Sequence, residues 1–553
     1  MIIVEEGKPI KLPTLTSLKF SSAGFYDKTV WDLLRQADGC YFDKKTNTFE
    51  FPPNALCFLV DVLCTVDDVK VVPYYEDDAP TRSCGEMVFK VKPYNHQLDA
   101  VNYGLNHNGW LLLDDQGLGK TGSMIYLAET LKRYENLEHC FIICGVNGLK
   151  FNWASEIEKF SDLSWHILGQ RVNRKGNIVI GSVEDRLNDL RNPIDEFFVI
   201  TNIETLQNKN FAQAFNSSKN HFDMIILDEA HRCKSPSALS VKTLLKVKAK
   251  RCIALTGTVI VNNPENAYVP LKWTGNTNSN YSQFSNMYNV YGGFGGVQVL
   301  GHKNLDLLKQ LLASCSLRRL KSDVLDLPDK TYITDYVDMY DDQRKLYLDV
   351  HQGIVDELNK LDHKPSIMEE ITINMRLRQI TAYPGMLSTE VTNSAKIERM
   401  VQLVQDIVAQ GDKVVVFSTF KGTIYEIERR LKDFGLVVCT GDYDDAHAVE
   451  AINKFQTDDS IKVFAGTWQK AGTGITLTAA SYMIFIDTPW TSASFEQACD
   501  RIYRIGQDKK VFIITLITKD TYDERVQEIL QRKEDLSKFI VDDGDDKNLS
   551  LYE

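Results

Sequence analysis

The sequence is short of the features that would place a protein outside a reducing interior. Its 11 cysteines include no C-x-x-C pair, and the two nearest, Cys140 and Cys144, share one apolar segment. Neither a disulfide framework nor a zinc site is therefore expected. No apolar run approaches the roughly 20 residues needed to cross a bilayer. The opening residues, MIIVEEGKPIKL, carry acids and a proline where a secretory signal would carry an apolar core. These absences predict a soluble, cytoplasmic protein with free thiols. Internal repeats and low-complexity tracts are absent as well. Basic residues are outnumbered, 63 Lys and Arg against 75 Asp and Glu, for a net charge of −12. That balance argues against a blanket polyanion binder, although a local cleft can still be basic.

At 553 residues the chain is too long for one hydrophobic core, and 43% hydrophobic residues suffice for two or three globular units. Residues 1–88 read as a small α+β domain, rich in aromatics and closed by an acidic turn around Pro80. Within it, 30–36 and 55–63 read as helices, and 41–51 as a hairpin turning at 44–47 and stopped by Pro52-Pro53. From residue 89, short apolar strands at 111–113, 141–144, 197–200, 224–227 and 252–255 alternate with helices. The rhythm resumes at 414–418, 436–439, 463–465, 482–486 and 511–516. Such alternation predicts an α/β protein with two parallel-sheet lobes, each covered by helices on both faces and binding ligands at the strands' carboxyl ends. Between the lobes, residues 265–400 turn helical, with Leu346, Val350, Ile354 and Leu358 at i+4 spacing. The stretch 291–296, YGGFGG, reads as a flexible connection.

The rest is organised around residues 111–121, LLLDDQGLGKT. An apolar strand runs into a glycine-forced turn, and Lys120-Thr121 open a helix with Met124, Leu127, Ala128 and Leu131 on one face. Strand, glycine loop and helix start make a phosphate cradle. Backbone N–H groups of Asp115, Gln116, Gly117, Leu118 and Gly119 can surround a polyphosphate, Lys120 can reach its terminal phosphates, and the Thr121 hydroxyl can hold Mg²⁺. The strict pattern G-x-x-x-x-G-K-[ST] is broken at its first glycine, where Asp114 stands. Directly after the fourth strand comes Asp228-Glu229-Ala230-His231. Nucleotide hydrolysis needs one carboxylate for Mg²⁺ and one to orient water for in-line attack, which assigns Asp228 to the metal and Glu229 to the water.

LLLDDQGLGKT, followed by LDEAHRCKSP and ALTGT, resembles the ATPase core of superfamily-two helicases, and within it the Swi/Snf group of DNA translocases. In that group an Asp also replaces the first glycine. The second lobe agrees through AGTGITLTAA at 471–480, DTPW at 487–490 and QACDRIYRIGQ at 497–507. Motifs run from Tyr94 to Gln507, about three quarters of the chain. The resemblance implies two RecA-like lobes, at 89–325 and 326–535 with the helical insertion, followed by an acidic polar tail at 536–553. It implies ATP as cofactor, with Gln97 reading adenine, Tyr94 stacking, and Gly472, Gly474 and Gln497 completing the nucleotide site. By position, Arg501 and Arg504 match the fingers that reach the γ-phosphate, while His231, Thr256, Gly257 and Thr258 match the coupling motifs. Asn147, Lys150, Trp153 and Thr201 resemble first-lobe contacts to DNA phosphates, and Thr467, Lys470 and Trp490 their second-lobe partners; such contacts position without reading sequence. The segment 317–324, LRRLKSDV, matches a family stretch near the lobe junction. The chain departs from the family at Gly145-Val146, at Val259, and in 441–455, which lacks an expected arginine.

Residues 30–62, centred on YFDKKTNTFEFPP, resemble the HARP domain of annealing helicases, which implies that Tyr41, Lys44 and Lys45 contact forked or branched DNA. The expected function is an ATP-dependent translocase on duplex DNA that remodels forks, branches or protein–DNA complexes. It is expected to act as a monomer with a replication or repair protein as partner, in a bacterial or phage setting. A strand-separating helicase and a nucleotide-gated scaffold with little turnover are the alternatives.

Overall fold

In the computed structural model, placement is described for residues 2–5, 10–13, 41–43, 48–51, 71–74, 82–85, 87–145, 149–172, 178–260, 263–292, 298–325, 327–359, 367–443, 445–471, 475–528 and 530, the first five stretches as backbone only. The chain divides into two compact units, one formed mainly by residues up to Leu320 and the other by Gln116–Leu118 with the residues from Lys321 on.

The first unit is built on a seven-stranded sheet. Its strands are β1 (Gly109–Leu112), β2 (His139–Cys144), β3 (Trp165–Ile167), β4 (Phe198–Asn202), β5 (Phe222–Leu227), β6 (Arg251–Leu255) and β7 (Ser316–Leu317). They lie in the order β7-β1-β6-β5-β2-β4-β3, and every pairing is parallel. Both faces are buried, and the pleat divides each strand between two cores. Leu111, Phe141, Ile143, Ile225 and Ala254 enter one core, while Leu112, Cys140, Ile142, Ile226 and Ile253 enter the other. A strand buried on both sides must be apolar at every position, which explains why these strands read as continuous runs. Helix α1 (Asn95–Asn106) precedes β1, α2 (Lys120–Glu135) follows it, and α3 (Leu149–Phe160) follows β2.

The second unit repeats the design with β8 (Lys330–Val337), β9 (Val414–Ser418), β10 (Leu436–Cys439), β11 (Val463–Thr467), β12 (Tyr482–Phe485) and β13 (Val511–Thr518). Their order is β8-β13-β12-β9-β11-β10, again all parallel. Helices α4 (Asp341–Asn359) and α5 (Ile367–Ala382) form the expected helical insertion.

Within the two large sheets, three strands carry no sequence signal. β3 and β7 are two or three residues long, too short to show a period, and β8 is an edge strand whose tyrosines and threonines never form an apolar run. Of the glycine-rich stretch, Tyr291 and Gly292 belong not to a loop but to strand Asn289–Gly292, which pairs antiparallel with Gln298–His302, while 293–296 lie outside the described residues. In the N-terminal region, Tyr41–Asp43 and Thr48–Phe51 pair antiparallel, as the hairpin reading requires. The helices expected at 30–36 and 55–63, the turn at 44–47 and the tail at 536–553 lie outside the described residues.

Candidate nucleotide site and nucleic-acid interface

The carboxyl ends of three neighbouring strands carry the three first-unit motifs. The phosphate loop follows β1, Thr256 follows β6, and Asp228 follows β5, with Leu111, Ala254 and Leu227 in register across them. Parallel strands lie about 4.8 Å apart, so the sheet itself brings residues some 140 positions apart in sequence to one edge.

Two loop glycines make the turn. Gly117 and Gly119 have φ of +84° and +76°, a conformation in which a side chain costs about 1–2 kcal/mol. A Cβ on Gly119 would also stand 2.7 Å from Gln97 Nε2. Gln97, in the first turn of α1, donates from that amide to Gly119 O at 3.2 Å and accepts from Tyr94 N–H at 3.0 Å. Tyr94 is half exposed and stacks on His96, with ring centroids 5.6 Å apart. Lys120 Nζ donates to the loop carbonyls of Asp114 and Asp115 at 2.8 and 3.1 Å. Desolvation pushes its pKa below the usual ammonium value, against the pull of Glu229, Asp114, Asp228 and Asp115. Thr121 follows it in the first helical turn, partly buried, as are Gln116 and Asp115; Leu118 is buried.

At the end of β5 the Asp228 carboxylate is held at both oxygens. Oδ1 accepts from Glu229 N–H and Oδ2 from the Trp153 indole N–H, each at 2.9 Å. Burial, then the neighbouring Glu229 carboxylate, pushes the Asp228 carboxyl up to about 6, while the Trp153 hydrogen bond pulls it down. Glu229 takes φ +52°, a left-handed conformation that costs a non-glycine residue about 1–3 kcal/mol and is concentrated at functional sites. The residue that follows the neighbouring strand β2 is a glycine here: a Cβ on Gly145 would lie 2.7 Å from Glu229 Cβ. Arg232 donates to Gly145 O at 2.7 Å. His231 Nδ1 lies 3.3 Å from Glu229 Oε2 and 3.1 Å from Thr256 Oγ1. The Thr256 hydroxyl donates to Thr258 O and accepts from Thr258 N–H. With the hydroxyl proton committed there, His231 carries its proton on Nδ1 and donates it toward both neighbours. Desolvation lowers the His231 pKa, against the pull of Glu229. A chain of contacts thus runs from Glu229 through His231 to the Thr256–Thr258 turn; Gly257 sits inside that turn.

A sequence profile of the SNF2-related domain matches residues 53–386, more than half of the chain, and one of the helicase conserved C-terminal domain matches 395–506. The chain belongs to the SNF2-related family. Within this family of helicase-like ATPases it is 29% identical over 464 residues to an uncharacterized ATP-dependent helicase of Mycoplasma pneumoniae, covering 81% of this chain and 42% of that protein. It is 26% identical to the human SWI/SNF-related matrix-associated actin-dependent regulator of chromatin subfamily A member 1, covering 86% and 45%. The chain therefore spans less than half the length of these relatives. Among solved structures, the Sulfolobus solfataricus SWI2/SNF2 ATPase core in complex with dsDNA is 25% identical, covering 83% of this chain and 94% of that one, with a TM-score of 0.37.

Three of the first-unit residues expected at DNA are instead buried in this SNF2-related chain. Trp153 has no exposed surface and spends its indole N–H on Asp228, so it supports a carboxylate rather than offering a surface contact. Lys150 is 2% and Thr201 1% exposed. The signal was present in the spacing: Leu149, Trp153 and Ile157 repeat every four residues along the inward face of α3, and Thr201 lies on β4, buried throughout. Asn147 lies outside the described residues, as do Lys44 and Lys45; Tyr41 is placed as backbone in its strand.

In the second unit, Thr467 is buried at the end of β11. Ser418, at the end of β9, donates to Asp487 at 2.5 Å, and Thr419 N–H donates to the same carboxylate at 3.0 Å. The buried Arg378 guanidinium donates to Thr488 O and lies over the Trp490 ring, 4.2 Å from its centroid, a cation–π contact. Arg501 and Arg504 come together on one carbonyl, donating to Ile475 O at 3.4 and 3.3 Å. Gln497 lies two residues before Cys499 in helix Ser492–Cys499. Asp500, buried, is ion-paired with Lys321, which also donates to Tyr503 O at 2.9 Å. Lys470 is placed as backbone in helix Trp468–Ala471, and Gly472 and Gly474 lie outside the described residues.

Proposed function

We propose that this SNF2-related protein hydrolyses ATP with Mg²⁺ and uses the cycle to translocate along duplex DNA, remodelling forked or branched DNA or protein–DNA complexes. The observation that carries the reading is the convergence of Lys120, Asp228, Glu229 and Thr256 at the ends of three adjacent strands. The donor set suits the cofactor: a lysine and helix N-terminus for phosphates, and a hydroxyl and a carboxylate, Thr121 and Asp228, for a hard divalent cation. Bound Mg²⁺ would neutralise phosphate charge. Glu229 orients water for in-line attack, and the His231–Thr256 contact passes its position to the Thr258 turn. Gln97 and Tyr94 take the adenine, while Arg501 and Arg504 supply charge to the γ-phosphate, a contribution of roughly 10³–10⁵ in related phosphoryl transfers.

The scaffold reading is the weaker one, because none of these groups is missing and a motor that had lost turnover would retain no reason to hold Glu229 in a strained conformation. The test is ATP turnover at fixed low salt with no DNA, single strands, plain duplex and forked duplex. Stimulation is expected to be highest on the fork and to fall to the plain-duplex level on deletion of residues 1–88. Turnover that no DNA raises would refute the motor.

A further inference from the structure

The segment that closes the first unit carries two arginines outside the site described above. After Leu317 of β7 pairs with Leu112 of β1, the backbone continues alongside the phosphate loop. Leu113 N–H donates to Leu317 O at 2.8 Å, and Asp115 N–H to Arg319 O at 3.0 Å. Arg319 forks onto Asp114, Nε to Oδ1 at 2.9 Å and Nη2 to Oδ2 at 2.5 Å, and its remaining nitrogen donates to His96 O in the first turn of α1. Arg318 meets Asp115 Oδ1 at 2.9 Å and donates to Leu113 O at 2.6 Å and Gly257 O at 3.4 Å. One guanidinium thus joins the phosphate loop to the helix start that carries Gln97. Its neighbour joins the same loop to the turn between Thr256 and Thr258. Asp114 has no exposed surface, and a buried carboxylate is retained only when it is paired and hydrogen-bonded. The acid standing in the first-glycine position is therefore an anchor for Arg319.

We infer that Arg318 and Arg319 are positioning residues of the ATP site: Arg319 sets Gln97 against the phosphate loop, and Arg318 sets the loop against the coupling turn. This rests on the ATPase reading above. Neither arginine touches a phosphate in this role; each acts through the segment it holds.

The experiment measures kcat and KM for ATP and for GTP in the full chain with duplex DNA, for the wild type, Arg319→Gln, Arg318→Gln and the double variant Asp114→Gly/Arg319→Leu. Arg319→Gln is expected to raise KM for ATP by about tenfold or more, with kcat within about threefold, and to narrow the ATP-over-GTP preference by about fivefold as Gln97 loses its fixed place. Arg318→Gln is expected to act the other way, lowering kcat by about tenfold with KM within about threefold. A fold-only role would not shift the base preference. Where Arg319→Gln does not fold, the double variant leaves no stranded carboxylate and is expected to show the same KM rise and lost preference. Unchanged KM and base preference in a folded variant overturns the inference, and so does a double variant that cannot fold, which would assign the pair to the scaffold. A wild type without ATP turnover would instead overturn the ATPase reading.

Discussion

Trp153→Phe isolates the support of the proposed Mg²⁺ carboxylate, Asp228, from the packing around it. The substitution keeps an aromatic ring in the core beneath β2 and β5 and deletes one donor, the indole N–H that lies 2.9 Å from Asp228 Oδ2. A hydrogen bond to a charged group contributes about 1.5–3 kcal/mol, and a second donor, Glu229 N–H, remains on Oδ1. If the whole of that contribution is expressed when Asp228 holds Mg²⁺, kcat/KM at limiting Mg²⁺ falls by roughly 10- to 150-fold. The smaller ring leaves space in a fully buried site, which costs stability of about 1–2 kcal/mol. That loss is read separately in a melting curve. The assay is steady-state ATP turnover across a Mg²⁺ titration, with Asp228→Asn and the double variant completing a cycle. The expected result is a rightward shift of the Mg²⁺ curve in Trp153→Phe and no further loss when it is added to Asp228→Asn. A folded Trp153→Phe protein with an unshifted Mg²⁺ curve would refute the claim that this indole supports the metal carboxylate.

Glu229→Gln keeps the shape of the side chain proposed to orient water and removes its charge; turnover is expected to fall by roughly 10²–10⁴ with binding of a fluorescent ATP analogue retained, and unchanged turnover would remove Glu229 from that role. Gly145→Ala places a methyl group 2.7 Å from Glu229 Cβ, so turnover should drop by about tenfold or more while Mg²⁺ dependence stays put; wild-type activity would show that the contact relaxes freely. As the proposed Mg²⁺ ligand Asp228 must be ionised, and its carboxyl is pushed up to about 6 by burial and by Glu229. At limiting Mg²⁺, turnover is therefore expected to fall as pH drops through about 6, with the acid limb moving to lower pH as Mg²⁺ is raised; an apparent Mg²⁺ affinity constant from pH 5 to 8 would contradict the assignment.

The α/β architecture was legible because parallel strands buried on both faces must be apolar at each position, and β2, β5, β9 and β11 announce themselves as runs such as HCFIIC and VVVFS. The edge and near-edge elements β3, β7 and β8 did not, since short or half-exposed strands are under no such demand. Lys120, Asp228 and Glu229 stand out in the sequence for a related reason: glycine-loop chemistry and paired acids after an apolar strand are local signatures, complete within about ten residues, and the sheet sets all three at the ends of β1 and β5, the strands flanking β6.

What the sequence determined by itself was the set of chemical groups and the strand ends that carry them. Which of those groups meet was decided only by tertiary structure. Trp153 lies 75 positions from Asp228, and Arg319 lies 205 from Asp114, and nothing in a local window distinguishes a tryptophan or arginine that supports a carboxylate from one that faces solvent. Sheet order makes the difference. By inserting β6 and β5 between β1 and β2 and by returning β7 to the edge beside β1, the fold converts distant segments into neighbours a few ångströms apart, and in that low-dielectric edge each buried acid is paired with the donor the sheet delivers to it.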